Sequence, residues 1–532
     1  MISESWLVPA LSVVPILTAF VVLAVRGFDG RRLEALPAWL GAVACLAVTV
    51  VAGVATALVV DRGSSRPRLE VDAQWIPALG VRAHLGLDGV SAPLVLLTSA
   101  LGVLVCVHLA LTARSLDTGR RLVGCVLLVV GSANATFTAL DLVLFFVAFE
   151  GVLIPMWFVI AVWGDDRQSA AKPYPGAKPL GGEAARRDAA GRFVLYTATG
   201  SALMLLGILL VVLKTGSSDL VALATDPSSL PGGTLSQATQ FTAALLIVAG
   251  LAVKAPMWPL HTWLPPAHTI APTAGSVLLA GVLLKLGTYG LVRVAVPVLP
   301  DGFRELAPWL GVLGAVGVVW AGLACLVERD LKRLVAFSSV AHMGFVLLGI
   351  ASMSPVGMQG ALYANIAHGV VSALLFFVVG ALKDRTHSAD LGEIGPGLRD
   401  RVPRLGWLLA LGAVAGIGLP GLAVFWGELL AVAGAWQSGA DDGALGALGR
   451  PLAVVAAVGT VIAAAYWLRV LREIWMGETD PQRARLPDAS RGDTLTVAPL
   501  ALATVALGLV PGPLLALTSS AARGLLQLVG AP

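Results

Sequence analysis

The sequence predicts an all-α membrane protein of about fourteen transmembrane helices. Three observations carry that expectation. The 532 residues are 57% hydrophobic and 13% charged, about half the charge of an ordinary soluble domain. Apolar runs of about 20 residues, enough to cross a hydrocarbon core roughly 30 Å thick, recur from end to end. Lys and Arg gather in every second loop. A net charge of +4 is small for this length, and the basic residues form no stripe, which argues against nucleic acid as a partner.

The first run, 6–25, has no basic flank before it and ends in a charged loop, so it reads as helix 1 rather than a cleavable signal. Helices 2 and 3 are 38–60 and 90–113; between them, 61–89 predicts an ordered loop or short hairpin. Asp141 is the polar break that divides helix 4 (121–140) from helix 5 (142–163), since the joint apolar stretch exceeds one crossing. The loop 164–191, with Lys172, Lys178, Arg186, Arg187 and several Pro and Gly, reads as a partly disordered cytoplasmic insertion. Helices 6, 7 and 8 are 192–213, 241–263 and 273–297. Helices 9 to 13 are 308–327, 333–353, 358–382, 405–434 and 451–470, and helix 14 is 495–516. The remainder, 517–532, is too short to span and mildly amphipathic.

About 25 of the 36 Lys and Arg fall in the loops after odd-numbered helices and about 9 on the other side. The odd loops are therefore expected in the cytoplasm of a bacterial cell, with both termini outside its inner membrane. Cys45, Cys106, Cys125 and Cys325 all lie in apolar runs with no ligand spacing, which argues against zinc, clusters and disulfides. No nucleotide-binding glycine loop is present, so no cofactor is expected in this chain.

The informative residues are ionisable groups inside spans, each costing at least ~2.5–3.5 kcal/mol to insert at mid-membrane. They are Glu150 in helix 5, Lys254 in helix 7, Lys285 in helix 8, His342 in helix 10, His368 in helix 11 and Glu428 in helix 12. His108, near the end of helix 3, is a weaker candidate. Structural pairing or snorkelling is the plain alternative, but Lys285 is too central to reach the interface. Proton transfer needs groups that change charge state. Burial disfavours an ammonium and a nearby carboxylate favours it, so a Glu150–Lys254 pair is a tunable switch. Imidazoles at His342 and His368 suit a relay, and Glu428 suits its far end.

Helix 7 carries Pro256, Pro259 and, at its end, Pro265 and Pro266, and helix 12 carries Pro420 beside Gly412, Gly416, Gly418 and Gly421. Such breaks survive in a membrane where freed backbone faces protein or a wet cavity. Breaks five helices apart, each beside a charge, predict two inverted five-helix repeats, helices 4–8 and 9–13. The units are then 1–120, 121–297, 308–470 and 495–532. Helix 13 lacks a match for Lys285; Tyr466 is its nearest polar residue.

Five stretches resemble the antiporter-like subunits of NADH-quinone oxidoreductase, respiratory complex I. They are HLGLDGVSAPLVLLT (84–98), FVLYTATGSALML (193–205), HTWLPPAHTIAPTAGSVLLAGVLLKLGTYG (261–290), DLKRLVAFSSVAHMGF (330–345) and GLPGLAVFWGEL (418–429). The resemblance implies fourteen helices, inverted repeats and a polar axis through mid-membrane. It implies Glu150 and Lys254 as the coupled pair, Lys285, His342 and His368 as relay, and Glu428 as terminal group. Glu428 fits the M-type branch, which implies L-type and N-type neighbours and redox chemistry in partner subunits. A cation/proton antiporter or membrane-bound hydrogenase subunit of the same superfamily is the alternative, and a scaffold whose charges only pair helices is a second. Pro266 stands where the family has Asp, Ile270 where an acidic or polar residue is common, and Arg192 where Lys is usual.

Overall fold

The computed structural model describes residues 6–24, 34–61, 68–77, 80–112, 116–165, 182–439, 443–478 and 486–530. Among them, thirteen helices are long and apolar enough to cross a membrane. The expected fourteenth crossing, helix 12, forms two shorter helices, Pro403–Ile417 and Ala423–Gln437, separated by a turn. Helix is the rule because hydrocarbon offers no water to unpaired backbone groups.

Asp141 does separate helices 4 and 5: its carboxylate caps helix 5 by accepting from the Val143 and Leu144 N–H groups. Helix 5 runs as Leu142–Glu150 and Leu153–Trp163, with Gly151 and Val152 between them in right-handed helical conformation. Helix 6 is longer than expected, Gly182–Thr215, so 182–191 belongs to it rather than to the insertion. Residues 166–181 of that insertion lie outside the described residues. The expected hairpin is present as antiparallel strands β1 (Arg68–Ile76) and β2 (Val81–Leu87). The amphipathic end is a helix, Gly512–Leu528.

One connection recurs. Leu142 N–H bonds to Ser218 C=O and Leu220 N–H to Leu140 C=O, joining the starts of helix 5 and of a short helix, Leu220–Thr225. Leu331 N–H bonds to Ala389 C=O and Leu391 N–H to Arg329 C=O in the same pattern. The residues at the centres of the two bridges are Asp141 and Asp219, then Asp330 and Asp390, and each caps a helix. Asp141 follows helix 4 and Asp330 follows helix 9, so the bridges sit on opposite faces.

Helices 10 and 11 are buried along their whole apolar windows and helix 8 along nearly all of its own. These three form the interior, and three of the in-span charges lie on them. Gly281 of helix 8 and Gly369 of helix 11 let the two backbones touch; a Cβ on Gly369 would lie 3.1 Å from the Gly281 carbonyl oxygen. Small residues at such crossings are the usual means of packing helices in lipid.

A buried ion pair ties the N-terminal helices to helix 8. Arg293 Nη2 lies 2.6 and 2.5 Å from the two Asp88 oxygens. Arg293 Nε also donates to the Tyr289 hydroxyl, which donates to the Phe137 carbonyl. Burial pushes the Asp88 carboxyl up, but Arg293 and the Ser91 and Val90 N–H groups outweigh it and hold it below the ordinary carboxylate value. Stability from this group is therefore present at neutral pH and lost as pH falls through its lowered value. Replacing Arg293 by Ala leaves a buried carboxylate without its counter-charge and is expected to cost about 3–5 kcal/mol, read as a lowered melting temperature of the purified complex.

Candidate functional site

Helix 7 stops at Lys254, the last residue of Gln237–Lys254, and resumes at Leu264–Ile270. Prolines 256 and 259 prevent its continuation between. The Trp263 indole N–H takes up the freed Val253 carbonyl at 3.0 Å. Lys254 is 2% exposed, and its Nζ lies 4.9 Å from the Phe149 ring centre and 5.9 Å from that of Phe193. Glu150 is the acidic side chain within Coulombic reach of it, without ion-pair contact. The Ser201 hydroxyl donates a short hydrogen bond to Glu150 Oε1. The two expected partners therefore face each other at a distance, with aromatic rings over the ammonium and a hydroxyl on the carboxylate.

The other four groups form a line. Lys285 is fully buried, and its Nζ donates to the Ala280 carbonyl at 2.5 Å and lies 2.6 Å from His368 Nδ1. A π turn over Leu279–Leu283 precedes it, and such turns disturb the ordinary i to i−4 ladder and leave carbonyls for side chains. The His368 and His342 ring centres are 5.5 Å apart. His342 Nδ1 lies 2.7 Å from Glu428 Oε1. Lys285, His368, His342 and Glu428 thus make one polar chain across helices 8, 11, 10 and 12. Lys254 and Lys285 stand on abutting helices, since Gly287 packs against the backbone of Leu251 and Ala255.

The breaks in helices 7 and 12 both exist, but the charges are placed differently about them. Lys254 precedes its break, whereas Glu428 lies in the half-helix that follows its break. Tyr466 of helix 13 is fully buried, with its hydroxyl unpartnered among the described residues. His108 packs edge-on to Phe377 and lines a cavity rather than the chain.

Sequence reasoning missed two groups beside the axis. His268 is fully buried, stacked on Phe376 at 4.5 Å, and neither ring nitrogen has a partner among the described residues. Lys332 is also buried and donates to the Ala271 carbonyl, the cap of the helix that carries His268. Lys285 and Lys332 are the cations within electrostatic reach of His268. Lys332 forms the wall of a cavity of about 860 Å³ whose other lining includes Trp163, Asp165, Thr273, Lys383 and Asp384. These come from the ends of helices 5 and 11 and the start of helix 8, so the cavity belongs to the face of the odd loops. Lys332 was passed over because it opens helix 10, where a cation reads as an interfacial residue.

Of the departures, Pro266 stands in the first turn of Leu264–Ile270, where its missing N–H has no intrahelical partner to lose. Ile270 is buried, and its carbonyl accepts from Asp165 N–H at 2.7 Å. Arg192 pairs with Asp188 at 2.9 Å. Among the described residues, no group of three His, Cys, Asp or Glu side chains is arranged to hold a metal ion.

Residues 179–448 match the family described as NADH:quinone oxidoreductase/Mrp antiporter, TM. NADH-quinone oxidoreductase subunit M of Rickettsia typhi is 34% identical over 445 residues, 83% of this chain and 82% of that protein. The subunit M of Rhodobacter capsulatus is 34% identical over 515 residues, 95% of this chain and 93% of that one. A chain in the structure of respiratory complex I from Thermus thermophilus with bound NADH superposes with a TM-score of 0.82 at 27% identity, covering 99% of this chain and 100% of that chain.

The packing of Lys254 against helix 8 is open to a direct check. A Cβ at Gly287 would lie 2.5 Å from Ala255 N and 2.7 Å from Leu251 O, both backbone atoms that cannot swing aside. Gly287→Ala is expected to destabilise by about 1–3 kcal/mol, as overpacking does. Gly191→Ala meets nothing within 4 Å and should leave the melting temperature in place, making it the control.

Proposed function

Because this chain belongs to the NADH-quinone oxidoreductase subunit M family, we propose that it is a proton-translocating membrane-arm subunit of an NADH:quinone oxidoreductase, complex I. Electrons pass from NADH to quinone in partner subunits, and this chain stands beside L-type and N-type antiporter-like neighbours in the bacterial cell membrane. The observation that carries the reading is the buried chain Lys285–His368–His342–Glu428, with contacts of 2.6 and 2.7 Å at its ends. Four titratable groups in apolar surroundings are costly, and their alignment suits transfer rather than mere helix pairing.

Glu150 holds the proton of Lys254 in place. When a charge change in the neighbouring subunit weakens that hold, burial disfavours the ammonium and the proton leaves. Lys285 receives it, and the imidazoles of His368 and His342 take a proton on one nitrogen and release it from the other. Glu428 is the terminal group. The cavity on the odd-loop face, with Lys332 and His268 between it and Lys285, is the inlet from the cytoplasm. Both termini then lie on the outer side. The recurring Asp141–Asp219 and Asp330–Asp390 bridges support two inverted units, helices 4–8 and 9–13, in which each crossing has a counterpart.

Mild detergent extraction, native gel separation and an NADH dehydrogenase stain test the assignment. Co-migration with a large NADH-oxidising band is expected; a smaller assembly without that activity would favour the antiporter alternative. Within the complex, Lys254→Ala is expected to abolish most proton pumping with assembly intact. Unchanged pumping would mean that the buried charges only pair helices.

A further inference from the structure

The outer hairpin holds a titratable cluster that the proton chain does not use. His84 of β2 is 5% exposed. Its Nδ1 lies 2.7 Å from Asp219 Oδ2 and its Nε2 3.5 Å from Glu70 Oε2. Asp72 of β1 adds a further negative charge, engaged with the Arg82 guanidinium at 2.6 Å. The backbone on either side of His84 is bound to the start of helix 5. Leu140 N–H donates to the His84 carbonyl at 2.9 Å. Arg82 N–H donates to Asp141 Oδ2 at 3.3 Å, and the Ser218 hydroxyl donates to the same oxygen at 2.5 Å.

Asp141 caps the nine-residue segment Leu142–Glu150, a rod about 13 Å long with the cluster at one end and Glu150 at the other. Beyond Glu150, Gly151 and Val152 keep right-handed helical backbone and the crossing continues through Leu153–Trp163. Glu150 thus lies about two and a half turns from the anchored end of a stiff helical rod, and a shift of that end is carried to it.

We propose that His84 is a positioning residue for Glu150, whose charged contact with Asp219 anchors helix 5 and lets go when the outer face turns alkaline. His84 acts through Glu150, so the assignment rests on the proton role proposed above for that residue and on the outer placement of the hairpin. Burial pushes the imidazole down, but the hydrogen bond and charge of Asp219, helped by Asp72 and Glu70, hold it above its ordinary value. Burial pushes Asp219 up, and His84 with the Ala222 N–H brings it below the ordinary carboxylate range. The charged pair is therefore complete below the ordinary imidazole value and lost as pH rises through the raised one. An acid outer face, the product of pumping, keeps the anchor closed.

The test uses the whole complex in sealed vesicles, with pH set separately on the two faces. In the wild type, pumping per NADH oxidised is expected to fall at least twofold as the outer-face pH rises above about 7. His84→Gln and Asp219→Asn should each flatten that limb. Glu70→Gln, which removes one favourable charge and leaves the main pair, should move the limb to lower pH, and it serves if the first two fail to assemble. A wild-type outer-pH profile in assembled His84→Gln, or an unmoved limb in Glu70→Gln, overturns the proposal. A limb that follows the pH of the opposite face overturns the outer placement instead, and normal pumping by Glu150→Gln overturns the role of Glu150.

Discussion

Charge in hydrocarbon must find a partner, and the arrangement of helices 5, 7, 8, 10, 11 and 12 follows from that requirement. Lys285 has a carbonyl and an imidazole, His342 has a carboxylate, and Glu150 has a hydroxyl. Each of these partners arrives from another helix or from a disturbed turn of the same one. Helices 8, 10 and 11, which carry Lys285, His342 and His368, are the most deeply buried of the thirteen crossings, and helices 1, 2 and 14 are among the least buried.

Polar partners on two helices meet readily where the backbones approach closely. Glycine provides that approach. The contact of Gly281 with Gly369 lies one turn from Lys285 and next to His368, so the closest point of the two helices is also where their polar groups meet. The lines of force run in the other direction as well. A hydrogen bond of 2.6 Å between those two side chains holds helices 8 and 11 in register, where apolar packing alone would tolerate slippage along either axis.

Much of this was legible in the sequence. Crossings were legible because a span must be apolar for about 20 residues, and the six ionisable positions because a titratable group inside such a run is costly and stands out. Asp141 was legible as a boundary from length alone. The chain's connectivity was not: nothing local says that His342 meets Glu428 rather than Lys285, because helix rotation is set by tertiary packing. His268 was hidden because it sits in a proline-rich break, where periodicity gives no face. Lys332 was hidden because only the cavity beside it distinguishes it from an ordinary interfacial lysine. The anchoring cluster around His84 was hidden because its members, Glu70, His84 and Asp219, come from distant stretches of loop and strand.

The two broken helices also explain why one carries a cation and the other an anion with a direct partner. Lys254 is the terminal residue of its half-helix, where unpaired carbonyls and the dipole favour positive charge. It can therefore stand without donating a hydrogen bond to any described group, and Glu150 need only bias it. Glu428 lies past its break, beyond the first turn of Ala423–Gln437, where the dipole of that half-helix has largely faded. A carboxylate there needs a partner of its own, and His342 supplies it at 2.7 Å. The placement of each charge about its break thus decides how it is held: the lysine by a field that a neighbour can outweigh, the glutamate by a contact that must be broken.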